Sequence, residues 1–167
     1  MLPQNCTHFI VVGNYGSGKT ELSLALARKL RKEVEGAVAL VDLDIVNPYF
    51  RSAERADLLR SEGIEVKMPS FALTTVDVPA LPAEIQAVFD PGRYERVVID
   101  LGCDDVGATA LGRYYPLIQP IRDRVCMLYV VNPYRPLSGT EEDICALFAL
   151  IAQRSRLKPD MLVNNAN

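Results

Sequence analysis

Eight consecutive residues, Gly13-Asn14-Tyr15-Gly16-Ser17-Gly18-Lys19-Thr20, put three glycines, a lysine and a hydroxyl at the spacing G-x-x-x-x-G-K-[ST]. That spacing suits the binding of a polyphosphate. A triphosphate concentrates negative charge and has to be met by donors that do not crowd it; glycines at 13, 16 and 18 let the backbone turn tightly and bring its N–H groups close. Lys19 is expected to reach the β- and γ-phosphates, and the Thr20 hydroxyl to ligate Mg²⁺. An apolar run, His8-Phe9-Ile10-Val11-Val12, precedes the loop, and a helical pattern starts at Glu21. The helix N-terminus would then add its dipole and free N–H groups, which makes Gly13 to Glu21 the candidate nucleotide-binding segment.

Carboxylates are expected at the same sheet edge. One apolar run ends Ala39-Leu40-Val41-Asp42-Leu43-Asp44 and a later one Val97-Val98-Ile99-Asp100. An aspartate closing an apolar strand can hold a magnesium ion beside a bound nucleotide, and Asp100 fits that part. Asp42 and Asp44 are assigned opposite sides of their strand end and therefore different tasks. One supports the metal shell or Thr20, and the other faces the γ-phosphate and positions or deprotonates the attacking water. The metal candidates are thus Thr20, Asp42, Asp44 and Asp100, and the catalytic candidates Lys19 and Asp44.

The elements that must carry these residues can be read from periodicity. Apolar, β-rich runs recur at 8–12, 37–41, 97–99, 125–131 and 161–163, with a weaker one at Ile64–Met68. Helical stripes separate several of them: Leu22, Leu26, Leu30 and Val34, and later Ile144, Leu147, Phe148 and Ile151. Such alternation predicts an α/β fold in three layers, a mainly parallel sheet covered by helices on both faces. The stretch 69–82, rich in Pro and Thr, is expected to be an exposed loop before a short helix near 82–89. A short echo, Val46-Asn47-Pro48-Tyr49 and Val131-Asn132-Pro133-Tyr134, is followed by Arg51 and Arg135 at strand C-termini, where either arginine could meet a phosphate or a partner.

The order of phosphate loop, Val-Asp-Leu-Asp and Val-Ile-Asp-Leu-Gly resembles the P-loop ATPases that include the MinD and ParA positioning proteins, nitrogenase iron protein, dethiobiotin synthetase and the cobyrinic acid amidases. The resemblance spans nearly the whole chain and implies the P-loop NTPase fold. It also implies that Asp44, second in Asp-x-Asp, is the hydrolytic residue and Asp100 the Walker B aspartate. The run from Val41 to Ser52 is similar to the signature of a bacterial group labelled MinD/ParA-like nucleotide-binding proteins. Asn14 stands where the positioning members carry a second lysine that reaches across a dimer to the partner's nucleotide. Gly102-Cys103 occupies the region of their D-x-x-G switch. No second cysteine lies close to Cys103 in sequence, so a bridging iron–sulfur cluster is not expected. Such relatives usually continue for one or more helices past the point matching Asn167, so the chain is expected to be either a minimal version or short of a piece.

The run Met161-Leu162-Val163-Asn164-Asn165-Ala166-Asn167 stands where GTPases of related topology carry Asn-Lys-x-Asp. An amide at the fourth position pairs one donor and one acceptor with adenine better than with guanine. ATP is therefore expected over GTP, with Asn164 and Asn165 as base or loop contacts.

At 167 residues, 49% of them hydrophobic, the chain suits one domain, taken as residues 1–167. Its 18 basic residues are outnumbered by 21 acidic ones, which gives no general attraction to nucleic acid or anionic lipid; the only local basic groups are Arg28-Lys29 with Arg31-Lys32, and Arg154 to Lys158. No transmembrane segment or secretion signal is evident, and a cytoplasmic location is expected. The four cysteines include no C-x-x-C pair; Cys126 and Cys145 are expected to be buried as small hydrophobes, and His8 is given no role. Three functions remain open. The first is a Mg-ATP-dependent switch with a protein partner or second subunit, its loops near 43–52 and 101–108 ordered by the γ-phosphate. The second is a small-molecule kinase or ATP-dependent ligase using Asp44, with Arg51, Arg113 or Arg135 on an anion. The third is a nucleotide-binding module without catalysis.

Overall fold

The computed structural model describes residues 2–44, 53–68, 83–102, 104–135 and 138–166. Arg51 with the first copy of the Asn-Pro echo, the stretch 69–82, Cys103 and Asn167 lie outside them.

Six strands, β1 (His8–Gly13), β2 (Val38–Leu43), β3 (Ile64–Lys67), β4 (Arg96–Leu101), β5 (Val125–Val131) and β6 (Met161–Asn164), form one sheet in the order β3-β2-β4-β1-β5-β6. Every pairing is parallel. Strands buried on both faces need apolar side chains at successive positions, and β1, β2 and β5 are buried along their whole length. Helices α1 (Lys19–Glu33) and α2 (Ala53–Ser61) cover one face; α3 (Ala83–Gln86), α4 (Asp104–Arg113), α5 (Tyr115–Ile118) and α6 (Glu141–Ser155) cover the other. Alternation along β1 divides its side chains between two cores: Phe9 and Val11 pack with Leu26, Ala27 and Leu30 of α1, while Ile10 and Val12 pack with Leu111, Ile118 and Ile151. The expected three-layer α/β architecture is the one observed, with the weak run at Ile64 forming an edge strand and a short helix following residue 82.

Two expectations need correcting. The stripe at four-residue steps in α1 drifts, because a helix turns every 3.6 residues: the buried positions are Lys19, Ser23, Leu24, Leu26, Ala27 and Leu30, Leu22 is only half-buried, and Val34 is an extended residue past the helix end. Cys145 is exposed on α6, whereas Cys126 is buried in β5 as expected. His8 is buried at the start of β1, its ring nitrogens 2.8 Å from Thr7 Oγ1 and 3.0 Å from the Val88 carbonyl.

The direction of the sheet decides where a ligand can sit. The chain leaves β1 toward α1 on one face and leaves the adjacent β4 toward α4 on the other, so a crevice opens at their C-terminal ends, the usual binding place in open α/β sheets. Edge strand β6 is fixed at its start by Asp160, whose carboxylate accepts 2.8 Å from the Met127 N–H of β5 and 2.6 Å from Arg122 Nη2. Asp160→Ala would leave that N–H without its partner and is expected to lower stability by about 1–3 kcal/mol, with Asp160→Asn costing less; urea denaturation of the two variants beside the wild type measures the difference.

Candidate functional site

The phosphate loop leaves β1 at Gly13, whose Cα is pressed against the Val130 carbonyl of β5; a Cβ there would overlap that oxygen. Gly16 (φ 71°) and Gly18 (φ 89°) take left-handed backbone conformations that side chains resist, which bends the loop back into α1. Gly18 is the N-cap of α1 and supplies no side-chain hydrogen bond, whereas α6 is capped by Thr140, whose Oγ1 accepts from the Asp143 N–H at 3.1 Å. Gly18 thus puts no side chain over the first turn of α1 at the mouth of the crevice, the arrangement that favours an anion.

Beneath the loop the structure brings together Lys19, Thr20, Ser23, Asp42 and Asp100. Asp100 closes β4 next to Asp42 in the register of β2, and both are almost wholly buried. The Asp100 carboxylate accepts from Ser23 Oγ at 3.1 Å and from the Thr20 hydroxyl. Burial pushes its carboxyl up to about 7 and the charge of Asp42 acts in the same direction, while the two hydroxyls and the Lys19 ammonium pull it down. Lys19 is itself buried, its Nζ donating to the Asn14 carbonyl at 2.8 Å.

Asp42 and Asp44 are not separated by strand alternation, since residues two apart share a side of a strand. A turn separates them: β2 ends at Leu43, and the Asp44 N–H bonds back to Asp42 Oδ1 at 2.9 Å, an Asx-type turn that takes Asp44 out of the strand. Half-buried Asp44 lies against Gly102, where a Cβ would stand 3.1 Å from its Cα and 3.2 Å from its Oδ1. Gly107 of α4 in turn packs on the Gly102 backbone so closely that a side chain there would overlap the Gly102 carbonyl. The glycine of Val-Ile-Asp-Leu-Gly therefore gives Asp44 its place beside the end of β4.

The remaining candidates divide. Asn165 donates from Nδ2 to the Ser17 carbonyl at 2.9 Å, a loop contact, while exposed Asn164 accepts from the Ala166 N–H in a turn of its own. Asn14 is buried and bonds Ser138 Oγ at 3.3 Å and its neighbour's N–H, Tyr15, at 2.7 Å. Tyr15 is exposed, as is Glu21 in the first turn of α1. Sequence reasoning missed Ser23 and Ser138. Ser23 had a signal: a small polar residue within the buried stripe of α1, four residues past Lys19, needs a buried partner.

Among the described residues no group of three or more His, Cys, Asp or Glu is arranged to hold a metal by itself. The donor set fits magnesium, which binds through one or two carboxylates and a hydroxyl while phosphate oxygens and water complete its shell.

No family model and no curated protein matches the chain. Solved structures do. The chain matches the BceF tyrosine kinase domain with a TM-score of 0.59 at 17% identity, over 96% of this chain and 69% of that one. It matches the kinase domain of the Escherichia coli tyrosine kinase ETK with a TM-score of 0.58 at 14% identity, over 99% and 69%. A nucleotide-binding protein from Archaeoglobus fulgidus, solved in complex with ADP, gives 0.52 at 16% identity, over 95% and 65%. The fold is that of the P-loop nucleotide-binding proteins.

The raised Asp100 carboxyl has a consequence for the ligand-free protein. Between about pH 4 and 7 the folded chain holds a proton on Asp100 that the unfolded chain has released, so the stability contributed by that proton is lost as pH rises through this window. Asp100→Asn keeps the shape without the charge. Without magnesium or nucleotide, its stability relative to wild type is expected to rise from pH 5 to pH 8; thermal melts at the two pH values check this, and an equal change in both proteins would contradict it.

Proposed function

We propose that the chain is a Mg-ATP-binding P-loop ATPase working as a nucleotide-dependent switch, read by a protein partner or a second copy of itself. The observation that carries the proposal is the constellation of buried Asp100, Asp42, Ser23 and Lys19 with half-buried Thr20, directly behind a helix start on glycine at the C-terminal edge of the sheet. Two carboxylates buried side by side repel each other, and the Lys19 ammonium and two hydroxyls offset this only in part, since the Asp100 carboxyl is still pushed up to about 7. When bound, Mg-ATP supplies a transferable γ-phosphoryl group and the divalent charge that makes two neighbouring carboxylates compatible. In this reading the loop N–H groups and Lys19 hold the phosphates. Thr20 and Asp100 hold the cation side, with Asp42 in support. Asp44, outside the buried cluster and half-exposed, orients the attacking water and takes its proton. The amide at Asn167, where the resemblance to Asn-Lys-x-Asp would put the guanine-reading aspartate, supports ATP over GTP.

Phosphoryl transfer to an acceptor other than water is the second reading, favoured by two structural neighbours that are tyrosine kinase domains. It uses the same residues, with Asp44 accepting the proton of a substrate hydroxyl instead.

The deciding experiment is phosphate release from Mg-ATP over a range of protein concentrations, with nucleotide affinity measured in parallel. Lys19→Ala is expected to weaken nucleotide binding at least about tenfold and to abolish release. Asp44→Ala should keep affinity within a few-fold and slow release by about 10²-fold or more, the usual contribution of a positioned general base. A rate per molecule that climbs with concentration would identify a second copy as the reader. Wild-type release no faster than Lys19→Ala would overturn the self-sufficient ATPase, and release that begins only on adding a hydroxyl acceptor would favour the kinase.

A further inference from the structure

The loop after β5 reaches over the phosphate loop and touches it twice, through Asn14 Nδ2 on Ser138 Oγ and through Arg135 Nε on the Gly16 carbonyl at 3.1 Å. We propose that Arg135 is a positioning residue of the phosphate loop, acting through the Nε–H bond to Gly16 and not through its charge. The inference rests on the nucleotide-binding reading above and adds to it the residue that keeps the loop in its receptive shape.

The geometry around Gly16 explains why such a residue is needed. Gly16 has no Cβ and sits at a positive φ, so nothing in its own side chain keeps the following peptide unit from rotating. Rotation would carry the Gly16 carbonyl toward the phosphates, where a partial negative charge opposes binding. The unit is instead held at both ends: Arg135 Nε takes the oxygen, and the Ser17 N–H is directed to the Asn14 carbonyl at 3.2 Å. The next carbonyl, that of Ser17, is held by Asn165 of the β6 end. Two successive carbonyls are thus fastened from outside the loop, by residues that follow two different strands.

Arg135 can do this because its own backbone is fixed. Its N–H bonds to the Asn132 carbonyl at 3.1 Å, its carbonyl accepts from the Ser138 N–H at 3.0 Å, and the Asn132 side chain accepts from the Tyr134 N–H at 3.1 Å. The side chain is exposed, where an ionic contribution would be screened by solvent while a well-aimed donor still orients a carbonyl. The use of Nε gives a direct chemical test, because glutamine carries an N–H donor the same number of bonds from Cα and has no charge. Lysine has the charge and lacks that donor.

The test compares Arg135→Ala, Arg135→Gln and Arg135→Lys with wild type in two measurements. In hydrogen exchange on the ligand-free protein, the amides of residues 13–20 should exchange faster in Arg135→Ala, near the wild-type rate in Arg135→Gln, and unchanged elsewhere in all variants. In titrations with Mg-ADP and Mg-ATP, Arg135→Ala should bind both more weakly by a similar factor, roughly three- to tenfold as suits one hydrogen bond. Arg135→Gln should recover most of that loss and more than Arg135→Lys. Recovery by lysine and not glutamine, or a loss several times larger for ATP than for ADP that vanishes with salt, would overturn the proposal in favour of direct contact between guanidinium and phosphate. Unchanged loop exchange in Arg135→Ala would overturn it too. Failure of the wild type to bind either nucleotide would instead overturn the nucleotide reading itself, and the exchange measurement would still report whether Arg135 holds the loop.

Discussion

Two aspartates side by side in the interior of a protein set the terms for everything around them. Asp42 and Asp100 are register neighbours on adjacent parallel strands, and each is shielded from water almost completely. Burial makes the charged state of a carboxylate costly, and a second carboxylate beside it makes it costlier. The surroundings answer with the groups available on the facing helix: Thr20 and Ser23 donate to Asp100, and Lys19 brings a positive charge nearby. Helix α1 therefore has a polar first turn and a half-turn of polar residues on the side that packs on the sheet, where an apolar stripe would otherwise run. Fully buried apolar side chains begin at Leu24, Leu26 and Ala27, with half-buried Leu22 packed beside them.

The same constraint accounts for the unequal treatment of helix starts. α6 has a threonine cap and three acidic residues in its first turn, the ordinary way to satisfy N–H groups and complement a helix dipole. α1 starts on a glycine that caps nothing, next to a buried lysine. A glycine start is less stable than a side-chain cap by only about a few tenths of a kcal/mol. The glycine start leaves room for an anion in front of the first turn, and it stands beside two carboxylates whose charges repel each other. A magnesium-bound polyphosphate is complementary to both at once.

Much of this was legible in the sequence because the features that carry it are periodic or contiguous. Six strand runs, the loop of eight residues and the aspartates closing β2 and β4 are all local patterns, and a parallel sheet follows from their alternation with helices. What was misread depends on where an element stops. Asp42 and Asp44 differ in environment because β2 ends between them and an Asx-type turn intervenes, and no period in Val-Asp-Leu-Asp announces that. The signal at Ser23, a polar position within the buried stripe of α1, names no partner, whereas a lone serine such as Ser138 has no characteristic spacing. Their roles arise from contacts over 77 and 124 residues of chain separation. Cys145 was expected inside on the strength of its residue type, but α6 turns that position outward.

Asn14 shows how one loop residue can tie two segments together. Its carbonyl Oδ1 accepts from the Tyr15 N–H and its Nδ2 donates to Ser138, so a single side chain uses both halves of an amide, one inside the loop and one on the loop after β5. A lysine at this position has donors only and could not accept from Tyr15. Its charge would also have to leave the buried place that Asn14 occupies and extend into solvent or toward another molecule. Asparagine does the reverse and spends its polar groups within the same subunit. Any assembly of two copies across the nucleotide must then be built without a cation from this position, and the contact it makes with Ser138 ties the phosphate loop to the turn that leads into α6. That contact joins the phosphate loop to the β5–α6 connection, on which Tyr134 is exposed to solvent.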